Sequence, residues 1–440
     1  MLTIYTPCIT ERITFVMNVV FKTHLGVEYR LTDSADFFAE APAPKFVYAQ
    51  EQFHNELFIC KNPIMTETEI CRQAIEISEY EGEPVFFQAP HPAALLPFDI
   101  FAVVFYLISR YEEYLPFEKD RFGRFPATQS LAYKAGCLQK PLADILILKF
   151  AEKLQSAFSD FHYQKTKFQY IATYDIDNAY LYKHKGFIRS AGGVCKQLLK
   201  GNLKECRERI SVLSNAKPDP NDVYAHLRRL QQKFNFSVYY FILFAETDVN
   251  DHGLSPKNKH FRSLIRDLQQ SGTVGIHPSF ASASDAGKLR REIAGLSEVI
   301  GKNITCSRSH FLMLRFPETC RNLIRNGITD DFTLGYADQP GFRASTCKPF
   351  PFFDLSANQQ TTLTLHPFAC MDATLKRYLS LSPEQSLPLL CTLIDNVKAV
   401  GGTFVSLWHN ESFSPSERDW GKLYEDLLEK WVKNDSLIAH

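Results

Sequence analysis

From residue 168 to the C-terminus, short β-branched and aromatic runs alternate with stretches of helical spacing. No other feature of the 440 residues limits the fold as strongly. The expected strands are 168–174, 237–244, 273–276, 305–307, 332–335, 361–365 and 403–408. The expected helices are 222–234, 259–270, 286–300, 317–325, 383–400 and 419–433. Apolar positions recurring every three to four residues mark the helices, and short continuous apolar runs mark the strands. A strand–helix–strand repeat returns each strand in the same direction, so the sheet is mostly parallel with helices outside. About seven such strands suit a deformed (β/α) barrel, with an open doubly wound sheet as the alternative.

Residues 1–165 read differently, as a smaller α+β accessory domain. Strands are expected at 2–6, 27–31, 45–48, 57–59 and 85–87, and helices at 11–25, 98–114 and 141–158. The first half of 98–114 is apolar on nearly every side, which marks a helix sunk in a core. The boundary is set at 1–165 and 166–440, with the linker near 160–167. His91-Pro92 and the group Arg110, Glu112 and Glu113 read as loop and helix-surface features. The basic, aromatic segment 121–126 (RFGRFP) reads as a surface loop, with contact to a ligand or to the second region as the alternative. Residues 183–217 are an insertion suited to a rim or lid.

Charge and cysteine usage exclude several functions. Lys plus Arg total 49 and Asp plus Glu total 49, so there is no basic excess to neutralise nucleic-acid phosphates. The 11 cysteines form no CxxC pair, which excludes a zinc ribbon and fits a reducing compartment. The N-terminus lacks the basic start and apolar core of a signal peptide, and the apolar run 98–108 is too short to span a bilayer. The expectation is a cytoplasmic protein with no transmembrane segment, of undetermined oligomeric state. There is no nucleophile elbow, P-loop or dinucleotide fingerprint.

The strand ends carry the chemistry. The first expected strand ends in Asp175 and Asp177, the second near Glu246 and Asp248, and the third in His277. Arg308 and His310 follow the fourth, Asp330 and Asp331 precede the fifth, His366 ends the sixth, and His409 ends the seventh. Parallel strands bring their C-terminal ends to one face. Four of the 13 histidines therefore fall where a site would form, opposite an Asp-x-Asp. Taken singly, each aspartate suits a helix N-cap equally well. Together, carboxylates and imidazoles form a ligand set for zinc, iron, nickel or cobalt. A neighbouring carboxylate can act as base and a histidine as acid, which are the parts of metal-assisted amide or ester hydrolysis.

At these residues the chain resembles the polysaccharide deacetylases of carbohydrate esterase family 4, the NodB-homology fold. That family's first motif ends a strand in T-F-D-D-G; Thr173-Tyr174-Asp175-Ile176-Asp177 matches in the D-x-D form of its allantoinase-like branch. Its H-x-x-x-H motif keeps the first histidine at His277 and has Ala281 in place of the second. Its R-x-P-Y motif appears as Arg308-Ser309-His310-Phe311, and its last strand ending in His as 404–409 (FVSLWH). The resemblance covers residue 168 to the end.

It implies Asp175 as base, Arg308 orienting it, His409 as general acid, and Asp177, His277 and His310 as ligands of a divalent metal, zinc first. His310 stands in for the missing second histidine. Phe311 would offer a backbone N–H to the oxyanion. In the segment 331–346, Arg343 would grip an anionic group of the substrate, while Tyr336 and Phe342 would stack on a sugar. His366 would bind substrate or close a strand end. The implied activity is removal of an acetyl group from an N-acylated sugar or glycan precursor. Alternatives are allantoinase-like hydrolysis of another C–N bond, and a non-catalytic carbohydrate-binding or scaffold protein, which the loss at Ala281 would suit.

Overall fold

The computed structural model describes residues 1–53 and 55–432. The N-terminal region is built on four strands: β1 (Leu2–Tyr5), β2 (Tyr29–Thr32), β3 (Lys45–Ala49) and β4 (Phe58–Cys60). They lie in the order β2-β1-β3-β4 and every pair is parallel, which corrects the α+β expectation. The reason lies in the connections. A helical segment, Glu11–Met17 running on into Asn18–His24, carries the chain from β1 to β2, and Ala35–Glu40 carries it from β2 to β3. A helix between strands returns the chain in the same direction. A small antiparallel pair, β5 (Ser78–Tyr80) and β6 (Glu83–Val85), follows.

Helix Ile100–Ile108 has every residue buried, as its all-round apolar sequence predicts. Asp99 caps it, its Oδ1 accepting the N–H groups of Phe101 and Ala102. Burial raises the Asp99 carboxyl to about 6.

The second region centres on a nine-stranded sheet. Its strands are β7 (Gln169–Ile176), β8 (Ser237–Ile242), β9 (Thr273–Ile276), β10 (Cys306–Ser307), β11 (Asp330–Asp331), β12 (Phe350–Asp354), β13 (Gln359–Leu365), β14 (Cys370–Met371) and β15 (Thr403–His409). Their order is β12-β13-β11-β10-β9-β8-β7-β15-β14. Every pairing is parallel except the β12–β13 hairpin. Two strands, β12 and β14, escaped the sequence reading, and the fifth expected strand, 332–335, lies instead at Asp330–Asp331, the carboxylates expected to precede it. Among the described residues the edges β12 and β14 do not pair with each other. The sheet is thus parallel-rich, and no closed barrel of seven strands is seen. The insertion forms two helices, Phe187–Leu199 and Leu203–Leu213.

The two regions share one buried apolar cluster that includes Ile4 and Phe101 from the first and Leu365 and Leu428 from the second. Buried charges also cross the junction. Glu113 takes Arg110 Nε at 2.8 Å and Arg343 at 2.9 and 2.5 Å. Arg110 also donates to Tyr336 Oη at 3.3 Å. This corrects the sequence reading twice. Arg110 and Glu113 are not surface groups, and Arg343, Tyr336 and Phe342 are buried in the interior. The guanidinium of Arg343 is committed to Glu113 and to the Gly335 carbonyl. A charge this deep must be paired or it destabilises the fold, so the sequence had no room for a free cation here.

Candidate metal centre

Sheet register assembles the site. β15 pairs with β7 so that His409 lies opposite Asp175. β9 pairs with β10 at Ile276 and Ser307, so His277 and Arg308 follow on adjacent strand ends. Asp175 and Asp177, two residues apart, lie at the end of β7, and both line a cleft of about 200 Å³ with His277, His310 and His409.

The three groups Asp177, His277 and His310 each offer one ligand atom, and these atoms lie within 4.8 Å of one another. Asp177 Oδ1 is 3.2 Å from His277 Nε2, and Asp177 Oδ2 is 3.4 Å from His310 Nε2. The far side of each ring fixes its tautomer. His277 Nδ1 bonds the Arg308 carbonyl, which only accepts, and His310 Nδ1 bonds Asp251 Oδ1 at 2.8 Å. Each Nδ1 therefore carries the proton, and in the neutral rings each Nε2 turns a lone pair toward Asp177. Lone pairs facing carboxylate oxygens at such separations need protons or a cation between them.

The residues present fit a metal. Tetrahedral zinc sites have metal–ligand distances of about 2.0–2.1 Å, which puts ligands about 3.3 Å apart. His277 and His310 lie 3.2 and 3.4 Å from the two different oxygens of Asp177, and the three ligand atoms fall within 4.8 Å of one another, close enough to converge on one ion. Asp177 Oδ1 is buried and makes no hydrogen bond to any described residue. With no ion, burial acts to raise the Asp177 carboxyl, but His310 and His277 override it and hold the group well below the usual range. Burial likewise acts to lower His310, yet Asp177 and Asp251 raise it to about 9. Proton and metal compete for the same lone pairs.

Around this centre, Asp175 Oδ1 accepts from Arg308 Nη1 at 3.1 Å, and Arg308 is fully buried. Arg308 is itself fixed by Thr173 Oγ1 and the Phe332 carbonyl. On another side, His409 Nε2 lies 3.7 Å from Asp177 Oδ2, while its Nδ1 bonds Asp372 Oδ1 at 2.7 Å. Asp372 also accepts from the His409 backbone N–H and from the Ser412 hydroxyl. Burial acts to lower His409, and Asp372 overrides it, raising the imidazole to about 10. The carboxyl is held at about 2, its burial outweighed by His409.

Of the residues singled out from sequence, Asp175, Asp177, His277, His310, Phe311 and His409 line the cleft, with Arg308 behind Asp175. Arg343, Tyr336 and His366 do not. His366 gives Nε2 to Asp330 at 2.8 Å and stacks on Phe332. It lies on β13's side of the sheet, where it closes a strand end. Glu246 and Asp248 are exposed.

Two groups escaped the sequence reading, and a third entered it only as an alternative. Asp251 lies in a turn three residues beyond Asp248, with no periodic signal. Asp372 follows β14, so the strand-end rule would have found it had that two-residue strand been recognised. The third is Phe122 with Arg124, contributed by the N-terminal region. The basic, aromatic loop, for which contact with a ligand or the second region is the alternative sequence reading, lines this cleft. Arg124 donates to the Phe311 carbonyl at 2.8 Å and to Tyr378 Oη at 3.1 Å, and Phe122 packs on Phe311 at 5.0 Å between ring centroids.

Residues 2–159 match the model of a family of unknown function (DUF7033). A search of curated proteins finds no match. Among solved structures, the chain is similar to a Mycobacterium smegmatis protein described as a polysaccharide deacetylase. The two are 15% identical with a TM-score of 0.39, over 63% of this chain and 90% of that one. It is similar also to Puue allantoinase, at 11% identity and TM-score 0.38, over 60% of this chain and 85% of the other. A third likeness is to a Bacillus cereus polysaccharide deacetylase, at 15% identity and TM-score 0.29, over 60% and 88%. Among the described residues, no helix is long and apolar enough to cross a membrane.

Proposed function

We propose that this chain is a metal-dependent hydrolase that removes an acyl group, acetyl first among them, from an N-acylated sugar or glycan precursor. One observation carries the proposal. A carboxylate and two tautomer-fixed imidazoles bring their ligand atoms within 4.8 Å of one another, with an oriented carboxylate on one side and a charged imidazole on another.

A divalent ion held by Asp177, His277 and His310 supplies Lewis acidity there; zinc suits the donor set best, and nickel, cobalt or iron also fit. The chain's own groups do the rest. Asp175, held by Arg308 through Oδ1, turns Oδ2, 3.8 Å from His277 Nε2, toward the centre to take a proton from the attacking water. His409 is cationic at neutral pH and gives its proton to the leaving amine. Asp372 fixes its tautomer and restrains its ring. The Phe311 N–H, in a residue at φ 58°, is the candidate oxyanion donor. Ala281, at the start of a short 3-10 turn, offers no ligand, and His310 fills that role.

The D-x-D spacing of Asp175 and Asp177 also suits allantoinase-like hydrolysis of another C–N bond, and a substrate screen separates the two. The direct test is acetate release from a panel of N-acetylated amino sugars with zinc or cobalt added. Release that Asp175→Asn abolishes supports the proposal. No release from any sugar, with Asp175→Asn without effect, refutes it.

A further inference from the structure

We infer that the substrate carries an anionic group, a phosphate or carboxylate on the sugar, recognised at the cleft mouth by Arg121 and Arg377. The inference rests on the reading of the cleft as a deacetylase site and names its substrate class.

Three guanidiniums line the cleft: Arg121, Arg124 and Arg377. Arg124 is committed. It is buried, its charge is matched by Asp120 at 2.7 Å, and its remaining donors hold Phe311 and Tyr378. The other two are not. Arg121 is exposed and has no carboxylate within 4.0 Å among the described residues; its guanidinium lies over the Phe122 ring at 4.7 Å. The Arg377 side chain is 75% exposed, and its nearest carboxylate, Glu411, is 4.0 Å away, at the limit of an ion pair.

These two arginines come from different parts of the chain. Arg121 sits on the loop of the N-terminal region, and Arg377 on the π-helical turn Thr374–Tyr378. The Arg124–Tyr378 hydrogen bond ties the two elements together at the cleft. Two guanidiniums without a close counter-charge are therefore held at one opening by a part-buried contact, and each presents a planar fork that matches an oxyanion. The cleft floor does not neutralise them. Asp175 is paired with Arg308, and Asp177 faces His277, His310 and His409. A neutral sugar offers such a mouth only hydroxyl and amide oxygens as acceptors, whereas a charged sugar is drawn to it by its charge and oriented with its acyl group toward the metal centre.

The test is calorimetric binding to the metal-loaded full chain carrying Asp175→Asn, so that turnover does not intervene. The probes are N-acetylglucosamine, its 1-phosphate, and N-acetylmuramic acid, which separates phosphate from carboxylate. At least one charged sugar is expected to bind about tenfold or more tighter than the neutral one. Raised salt and the double change Arg121→Gln with Arg377→Gln are both expected to erase that preference. Both side chains are exposed, so the double variant keeps its fold. Equal affinity for charged and neutral sugars overturns the inference, and so does a preference that survives the double variant, because the metal would then be the anion's partner. Failure of the deacetylase reading shows up elsewhere, as absence of acetate release while the charge preference persists.

Discussion

His310 and Asp251 lie 2.8 Å apart, Nδ1 to Oδ1, and this bond turns the other nitrogen of His310 onto Asp177. Asp251 touches no other part of the metal set, yet it decides which nitrogen of His310 bears the proton. A carboxylate behind a metal-binding imidazole fixes the ring and raises its basicity.

Asp251→Asn should therefore weaken metal binding while leaving all three ligands in place. Loss of such a partner typically costs about 10–100-fold in affinity. Competition against a chelating indicator measures it, and unchanged affinity would mean that His310 is held by packing alone.

Asp372 plays the same part for His409, with a pH consequence. The His409 imidazole is raised from 6.5 to about 10, and the Asp372 carboxyl is lowered from 3.8 to about 2. The His409 contribution to stability is complete below pH 6.5 and is lost as pH rises through about 10. The Asp372 contribution is complete above pH 3.8 and is lost as pH falls through about 2. The pair thus supports the fold fully between pH 3.8 and pH 6.5. Asp372→Asn should move the alkaline limb of kcat/KM to lower pH, since His409 then loses its proton sooner. A limb that does not move would remove His409 from the role of acid.

Glu113 joins the two regions by holding Arg110 and Arg343 in a fully buried cluster. Glu113→Gln leaves the buried Arg343 guanidinium without a carboxylate, while Arg110 keeps Glu112 at 2.8 Å. Breaking a buried pair in this way costs about 3–5 kcal/mol. Denaturant unfolding should show a loss of that order. A loss under about 1 kcal/mol, the value of an exposed pair, would show that water reaches the cluster.

Arg124→Ala releases the Phe311 carbonyl, and Phe311 and Leu312 both sit at positive φ, 58° and 54°. Strained turns persist only where their surroundings hold them. A displacement near 1 Å at reacting groups can cost about 100-fold in rate. The expected result is a fall in kcat larger than any rise in KM. A pure KM effect would assign the loop to substrate binding alone.

Much of the site could be read from sequence because parallel strands end on one face. Asp175, Asp177, His277 and His409 each follow a strand recognisable by its own residues, and His310 follows one of two residues beside them. What was missed lacks local periodicity. Asp251 is in a turn, and Asp372 follows a strand of two residues. Arg343 misled for a different reason. A turn-rich, polar segment looks exposed from sequence, but 331–346 is almost wholly buried because Glu113, over 200 positions away, closes on it. In the N-terminal region most helix and strand positions were legible, but helix Ala35–Glu40 and β5 were not, and the direction of each strand depends on such connections.

The central claim is a metal held by Asp177, His277 and His310, and the metal content of the purified protein tests it most directly, for the unmodified chain and for His310→Ala. The account predicts close to one divalent ion per chain, lost on replacement of His310. No metal in the unmodified chain after incubation with zinc, nickel and cobalt, or full occupancy without His310, would contradict it.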